Sequence, residues 1–369
     1  MLGFGVLAMF LLAFISLNKI FHDADGAIPR KLQTEINEIN MYGPYIGLVI
    51  PDAYEMNPLL QSPSFISHKS MPYIDFAGRR FRFGTIGRKK VIIILTGLGM
   101  VNGGISTQLL LSLFRIQGVI FYGIAGNANP SLNIGDVAIP QYWAHTALWN
   151  WQRYGDGPGN ELALEVNGEY TRKIGYLKFS DYSTVNESKT SCGNLLNSIW
   201  YQPEEVYPVD GIPESREHAF WVPVDSSYFA ISKKLEASKA TKSLNLLGLK
   251  LQSCVNSTTC LSTPPKVITV SRGSSSSIFV DNAAYRSFIH NKFDVTPIDM
   301  ESASVALICL QQRIPYIAIM GLSDLAGGGS AESNEALTFT SLAVTNSIAV
   351  VTELIKNLPG DDGLCMCHE

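Results

Sequence analysis

Three carboxylic side chains lie at or just beyond the ends of predicted β-strands. Glu55 lies just past the first predicted strand, Glu301 begins a predicted helix directly after a strand, and Asp324 ends another strand. Ligands of open α/β sheets bind at the carboxyl ends of the strands, so we expect these acids to share one site. Carboxyl groups there can act as general acids or bases, or accept hydrogen bonds from a ligand. Two of these acids also have structural explanations: Glu301 as an acid favoured at a helix N-terminus, and Asp324 as an N-cap or turn residue.

Two other kinds of site are not supported. Gly97 and Gly99 separate a strand from a helix, as in a dinucleotide-binding loop. The third glycine comes one position late, at Gly103, and no acidic residue occurs near Phe121–Gly123, so that loop is excluded. The six histidines are scattered and none forms a pair at helical spacing. We therefore predict no metal site and no bound cofactor.

Two blocks of alternating strands and helices must position the carboxylates. The first block extends over Ile46–Pro140 and the second over Val267–Leu358. The run Val91–Leu95 consists almost entirely of β-branched residues, which is typical of a strand covered on both faces. The alternation predicts an α/β fold, a three-layer α/β/α domain with a mostly parallel, mixed central sheet.

A long middle segment, about residues 141–265, interrupts this alternation. It is rich in Trp, Tyr, Gly, Pro and Asn, and its periodicity is poor. We interpret it as an insertion on a compact core. Its aromatic residues, such as Trp143 and Trp149, could form a lid or an interface, or they could only pack the insertion onto the core.

The N-terminus indicates a secretory route. Residues 1–17 carry no charge and are strongly apolar, and Lys19 is the first ionisable side chain. This pattern predicts a signal peptide over residues 1–26 and one domain over residues 27–369; an uncleaved membrane anchor is the alternative. We expect a vacuolar or extracellular protein without stable membrane association after removal of the signal.

Two further features agree with an oxidising compartment. Asn186 and Asn256 begin acceptor triplets for N-glycosylation. Cys254 and Cys260 bracket a short polar loop, and we predict a disulfide between them. The net charge of -4 and the lack of a basic stripe argue against nucleic acid as a partner.

Four segments together resemble the signature segments of nucleosidases and nucleoside phosphorylases, in the same order and with roughly the same spacing. They are Gly47–Ile50 with Glu55, Gly123–Gly126 with Ile134–Val137, Asp299–Ala303, and Ser323–Asp324. The aromatic residues of the insertion also look like those of plant bark or vegetative storage proteins within this superfamily. The resemblance implies a nucleoside phosphorylase-like fold, a small-molecule nucleoside as ligand, a homo-oligomer and cleavage of the N-glycosidic bond.

The resemblance also implies roles for particular residues. Asp324 would be the general acid that protonates the leaving base, and Glu55 would position or activate the attacking water. Glu301 would accept hydrogen bonds from the ribose hydroxyls, and Met300 would pack under the sugar. The remaining substrate-binding residues, around the base, would be Phe279, Ile278, Gly126, Ala125 and Ser323.

The sequence departs from the family pattern where phosphorolytic members hold phosphate. Pro51–Tyr54 contains no arginine, and Ile124 replaces a residue with a hydroxyl group. Isoleucine cannot donate a hydrogen bond to phosphate, so water is slightly favoured over phosphate as the nucleophile. Phosphate stays possible as a co-substrate, because Arg79 or Arg80 could reach a neighbouring subunit. The alternative function is a nitrogen-storage protein that keeps the fold with little or no turnover.

Overall fold

The computed structural model describes residues 28–151, 174, 176–178, 198–212, 214–237, 249–328 and 335–359. The predicted signal peptide and Asn186 lie outside these residues. The chain divides into two compact units, Met1–Tyr42 and Gly43–Glu369. In its described part, the first unit contains one helix, α1 (Arg30–Tyr42).

The second unit contains the sheet and the site. Its described strands are β1 (Tyr45–Ile50), β2 (Phe65–Ser67), β3 (Tyr73–Phe76), β4 (Arg79–Ile86), β5 (Lys89–Leu95), β6 (Ile116–Asn127), β7 (Val137–His145), β8 (Trp149–Trp151), β9 (Tyr176–Lys178), β10 (Ser198–Tyr201), β11 (Glu204–Val206), β12 (Glu217–Ala219), β13 (Val222–Pro223), β14 (Val267–Ser275), β15 (Val295–Asp299) and β16 (Tyr316–Leu325). Its described helices are α2 (Ala53–Gln61), α3 (Met100–Leu113), α4 (Ser226–Ala237), α5 (Ala283–Phe293), α6 (Ser302–Gln311) and α7 (Glu335–Asn357).

The predicted fold class is confirmed: a mixed sheet with a largely parallel centre is flanked by helices. The main sheet has the order β13-β7-β14-β15-β6-β1-β5-β4-β2. The pairs of β1 with β5 and β6, of β14 with β7 and β15, and of β16 with β6 are parallel. The hairpin strands β2, β3 and β4 and the short strand β13 add antiparallel edges.

The centre of the sheet is apolar because both of its faces are covered. All six residues of β1 are buried, and Val91–Ile94 of β5 are fully buried. A parallel strand between two helix layers cannot present a polar face, which explains the continuous apolar runs in the sequence. Helices α3 and α6 pack against each other, and α7 packs on β16 and β6.

Five strands close a cycle of pairs next to this centre. In the order β6, β16, β7, β14 and β15, each strand pairs with the next, and β15 pairs back with β6. The pairing of β16 with β6 shifts register between Leu322 and Asp324, and this shift sets Asp324 opposite Gly126. An irregularity of this kind re-aims side chains at the end of a strand.

The middle of the chain is more regular than its composition predicts. Residues 141–145 complete β7 in the main sheet, and β13 pairs with them. Helix α4 packs on β14. Strands β8, β10 and β9 form a separate three-stranded sheet, and β11 and β12 form a hairpin-like pair. The poor periodicity reflects short strands that pair in three different sheets.

The second half of this segment contains the predicted cysteine pair. Cys254 and Cys260 are joined by a disulfide, with 3.9 Å between their Cα atoms. Asn256 is exposed inside this loop, and its side-chain oxygen accepts hydrogen bonds from Thr258 and Thr259. Among the residues described, no helix has the length and hydropathy needed to cross a membrane.

Candidate active site

A cavity of about 250 Å³ opens at the carboxyl ends of β1, β5, β6, β14, β15 and β16. All nine residues that the sequence analysis assigned to catalysis or substrate binding line it: Glu55, Ala125, Gly126, Ile278, Phe279, Met300, Glu301, Ser323 and Asp324. The carboxyl ends of the strands meet at one edge of the sheet, so segments from distant parts of the chain converge there. The structure thus brings the three carboxylates to one site.

Glu55 is held at the start of α2 by a capping box. Asp52 is the N-cap, and its Oδ1 accepts hydrogen bonds from the backbone N–H groups of Tyr54 (2.6 Å) and Glu55 (3.1 Å). Glu55 Oε2 accepts a hydrogen bond from the N–H of Asp52 at 3.1 Å. Such a reciprocal arrangement satisfies N–H groups at the helix start, so Glu55 has a structural role beside any catalytic one.

The second carboxylate oxygen of Glu55 faces β6. Glu55 Oε1 accepts a hydrogen bond of 2.7 Å from the backbone N–H of Ile124. A Cβ at Gly123 would lie 2.6 Å from the same oxygen, so only glycine leaves room for the carboxylate in this position. The segment Gly123–Gly126 of β6 is called the β6 signature below. Its second residue, Ile124, therefore contributes to the site through its backbone N–H.

Burial raises the pKa of Glu55 well above its ordinary value, since the side chain is only 2% exposed. The negative charges of Asp52 and Glu301 act in the same direction, while the N–H groups of Ile124 and Asp52 lower the pKa. A carboxyl group with a raised pKa is a stronger base once ionised, which suits a group that must take a proton from water.

Glu301 stands at the N-cap of α6, but its side chain caps nothing. Instead, Glu301 Oε1 accepts a hydrogen bond of 2.6 Å from the N–H of Gly99. The explanation of Glu301 as a helix-capping acid is therefore insufficient. Burial raises the pKa of Glu301, and the neighbouring charge of Asp299 raises it further.

Asp299 is a buried carboxylate of the site that the sequence analysis did not assign. Its Oδ2 accepts hydrogen bonds from the N–H (3.0 Å) and hydroxyl (2.5 Å) of Ser302, and its Oδ1 accepts one from the hydroxyl of Ser275. The hydroxyl oxygen of Ser275 in turn accepts the N–H of Ala303 at 2.8 Å. This network joins the ends of β14 and β15 to the start of α6. The signal in the sequence was its place two residues before Glu301.

Asp324 lies near the end of β16 and lines the cavity. It is half-buried, and Ser323 donates a hydrogen bond of 2.6 Å to its Oδ1. The hydroxyl of Ser323 also lies 3.2 Å from the carbonyl oxygen of Ala125. Ser323 thus links the carboxylate of Asp324 to the backbone of β6.

Apolar side chains form the rim of the cavity. Phe279 is 76% exposed, Leu98 is 59% exposed and Ile278 is 44% exposed. Ile298, Val280 and Ala326 lie among the lining residues as well. A flat aromatic ligand would find both apolar surface and acidic side chains in this cavity.

The ionisable side chains that line the cavity in the described part of the chain are all acidic. Its lining contains five carboxylates, Asp52, Glu55, Asp299, Glu301 and Asp324, and no Lys, Arg or His among the residues described. The two hairpin arginines are engaged elsewhere in their own chain. Arg79 donates to Ser106 and Asn102, and Arg80 forms a two-bond ion pair with Asp75. In the described ranges no group of His, Cys, Asp and Glu side chains has the arrangement of a metal site.

Comparisons with known proteins agree with this geometry. Residues 45–187 and 220–356 match the sequence model of the Phosphorylase superfamily. The unmatched stretch between them is shorter than the insertion predicted over residues 141–265.

Individual relatives include storage proteins and nucleosidases. The chain is 30% identical over 315 residues to bark storage protein A of Populus deltoides, which covers 85% of this chain and 89% of that protein. It is 24% identical over 287 residues to a 5'-methylthioadenosine/S-adenosylhomocysteine nucleosidase of Staphylococcus carnosus (strain TM300), covering 77% and 90% of the two chains.

A solved structure shows the same fold. The futalosine hydrolase of Helicobacter pylori strain 26695 superimposes with a TM-score of 0.55 and 18% identity, over 85% of this chain and 98% of that one. The family match extends over most of the chain and includes the strands that carry the carboxylates. On this evidence the chain belongs to the phosphorylase superfamily.

Proposed function

We propose that the protein cleaves the N-glycosidic bond of purine-type nucleosides, with water rather than phosphate as the nucleophile. The observation that carries this proposal is that a held carboxylate, Glu55, and a second acid, Asp324, line the same cavity. The nucleosidases among the relatives support the type of reaction.

The residues can divide the reaction between them. Water adds to the anomeric carbon while the bond from that carbon to the base nitrogen breaks. Glu55 accepts a proton from the water, and Asp324 donates one to the ring nitrogen of the departing base. Glu301 accepts hydrogen bonds from the ribose hydroxyls, and Met300 packs against the sugar. The products are the free base and the free sugar.

The charge of the cavity favours water over phosphate. A phosphate anion would bind among five acidic side chains, and the described lining offers no cation to compensate for its desolvation. Ile124 contributes only its backbone N–H, and Glu55 already accepts that group. A neutral water molecule meets none of these penalties.

A storage function is the second candidate, because the chain is 30% identical to bark storage protein A. Storage alone gives no physical reason to keep buried carboxylates with raised pKa values at one cavity, since burying such groups costs stability. The two functions can therefore be separated by measuring turnover.

The test is an assay of the purified protein on adenosine, inosine, guanosine and 5'-methylthioadenosine, with and without phosphate. We expect release of free base and ribose at a rate that phosphate does not change, and loss of that rate in Glu55→Gln. Strict dependence on phosphate, with ribose 1-phosphate as product, would overturn the choice of water. No turnover on any nucleoside, at any phosphate concentration, would favour storage.

A vacuolar or extracellular location is also part of this proposal. The disulfide and the exposed acceptor Asn256 suit the secretory pathway. Treatment of the protein from its source tissue with an N-glycosidase should increase its electrophoretic mobility, and Asn256→Gln should remove part of that shift. A cytosolic fluorescent fusion of the full chain would contradict the proposed location.

A further inference from the structure

The backbone that follows Asp324 makes a tight turn against the start of α5. The N–H of Gly328 donates to the carbonyl of Leu325 at 2.7 Å, and Gly327 has φ +78°. A Cβ at Gly327 would lie 2.4 Å from backbone atoms of Asn282 and Ala283. Only glycine allows both this φ and this close contact, so the turn is built to sit on the helix.

Arg286, in the first turn of α5, holds the other side of this contact. Its Nη1 donates hydrogen bonds to the carbonyl oxygens of Ala326, at 2.8 Å, and of Gly328. The side chain is half-buried, and in the described part of the chain it forms no ion pair with a carboxylate. One nitrogen of this rigid, planar guanidinium thus binds two carbonyl oxygens of the same turn.

The same turn is fixed on its opposite side by β6. The N–H of Ala326 donates to the carbonyl of Asn127 at 3.0 Å, and its methyl group packs closely against Gly126. Ala326 and Gly126 both line the cavity. The turn is therefore clamped between the β6 signature and α5, two residues after Asp324.

The apolar rim of the cavity leads directly into helix α5 along the chain. Ile278, Phe279 and Val280 precede its N-cap, Asn282. Arg286 consequently ties the strand that carries the acid to the wall that would contact the base. The sugar end is held independently, by the capping box of Glu55 and the bond from Gly99 to Glu301.

We propose that Arg286 is a positioning residue that sets Asp324 at the right distance from the leaving base. This inference rests on the proposed function, because it assumes that Asp324 protonates the base. Loss of the clamp lets the turn move, and displacement of a catalytic group by about 1 Å can reduce a rate by about a hundredfold. Binding of the sugar is unaffected.

The test compares two substrates that differ in their need for an acid. Inosine needs protonation of its base, whereas 4-nitrophenyl β-D-ribofuranoside loses a stable phenolate without it. Arg286→Met should lower kcat on inosine by about tenfold to a hundredfold, with KM within about threefold and the nitrophenyl riboside rate nearly unchanged. Asp324→Asn should show the same pattern, and the double variant should lose no more than Asp324→Asn alone.

Matched variants exclude a general loss of folding. Arg286→Lys keeps the charge and one donor, so its kcat on inosine should lie between those of the wild type and Arg286→Met. Arg216→Met removes an exposed arginine paired with Glu205, far along the chain from the cavity lining, and should leave both rates unchanged. Thermal unfolding of each variant accompanies the kinetics.

The outcomes separate this inference from the proposed function. If the wild type cleaves both substrates and Arg286→Met and Arg286→Lys lose both rates equally, or lose neither, the positioning role is wrong while the function stands. An additive loss in the double variant also overturns it. If the wild type cleaves neither substrate, the proposed function fails and the role of Arg286 fails with it.

Discussion

Glu55 and Glu301 are both buried carboxylates, yet they accept different hydrogen bonds from the backbone. Glu55 uses both oxygens to accept N–H groups, from Asp52 and Ile124, and so completes the start of a helix. Glu301 caps nothing; its Oε1 accepts the N–H of Gly99, and the backbone of Met300 provides a further hydrogen bond that lowers the pKa of the carboxyl. Glu301 therefore keeps lone pairs free for a ligand, as expected of a group that binds ribose hydroxyls.

Asp324→Asn tests the proposed general acid. The amide keeps the shape of the side chain and can still accept the hydrogen bond from Ser323, but it has no proton to transfer. We expect kcat on purine nucleosides to fall by roughly two to four orders of magnitude, with little change in the binding of free base. The measurement is base release together with calorimetric titration of the base. An unchanged kcat would show that another group protonates the leaving base.

Glu301→Gln tests the cost of burying a carboxylate. Burial and Asp299 raise the pKa of Glu301 in the folded protein above its ordinary value of 4.5, so the folded state binds the proton more tightly than the unfolded state. The resulting stability is present below pH 4.5 and is lost as pH rises through the raised pKa. The amide cannot ionise and still accepts the N–H of Gly99.

We therefore expect Glu301→Gln to gain free energy of unfolding relative to the wild type as the pH rises from 5 to 8, measured by urea denaturation at both values. Glu217→Gln, at an exposed position on β12, is the control, because water solvates that carboxylate in both states. A difference between Glu301→Gln and wild type that stays constant with pH would contradict the assigned effect of burial.

At the scale of elements, β6 is the strand that organises the site. It pairs in parallel with both β1 and β16, and these neighbours deliver Glu55 and Asp324 to either side of it. Its glycines leave room for close neighbours, Glu55 at Gly123 and Ala326 at Gly126. A strand with larger side chains here would fill the cavity.

Gly123→Ala tests this role of β6. The new methyl group would lie 2.6 Å from Glu55 Oε1, and the flexible end of the glutamate is easier to move than a backbone. We expect a folded protein with a displaced carboxylate and a kcat/KM reduced by about a hundredfold. Gly104→Ala, in α3 with no atom within 4 Å of the added methyl, is the matched control. It should keep full activity and gain up to about 1 kcal/mol of stability.

At the scale of the whole molecule, the site and the disulfide lie in separate regions of the second unit. The disulfide closes a loop with a sequence separation of 6, and no residue of that loop lines the cavity. Stabilisation of the fold by this link should therefore be independent of the chemistry.

The double variant Cys254→Ser with Cys260→Ser tests that separation. Opening so short a loop should lower the free energy of unfolding by about 2 kcal/mol, measured by urea denaturation of the oxidised protein and the variant. The kcat and KM on nucleosides should not change. A loss of activity without a loss of stability would show that this loop reaches the site.

The amino-acid sequence by itself determined the kinds of element and their order. Continuous apolar runs such as Ile46–Ile50 and Val91–Leu95 are set by burial on both faces, and that pattern can be read from neighbouring residues. The carboxylates at the ends of these runs could be assigned to one edge of the sheet, because parallel strands share that edge. Asp52 and Glu55, three residues apart at the start of a helix, also carried a readable capping-box signal.

Only the tertiary structure decided how the strands meet. Two features of the site depend on pairings between separate elements. One is the register shift that sets Asp324 opposite Gly126. The other is the burial of Asp299 among Ser275, Ser302 and Ala303. The clamp of Arg286 on the turn after Asp324 depends on contacts between separate elements in the same way. Local periodicity reports which face of an element is buried, but register and side-chain contacts arise only when distant strands pack together. That packing also gathers five acidic side chains around one cavity, and no single motif contains this cluster.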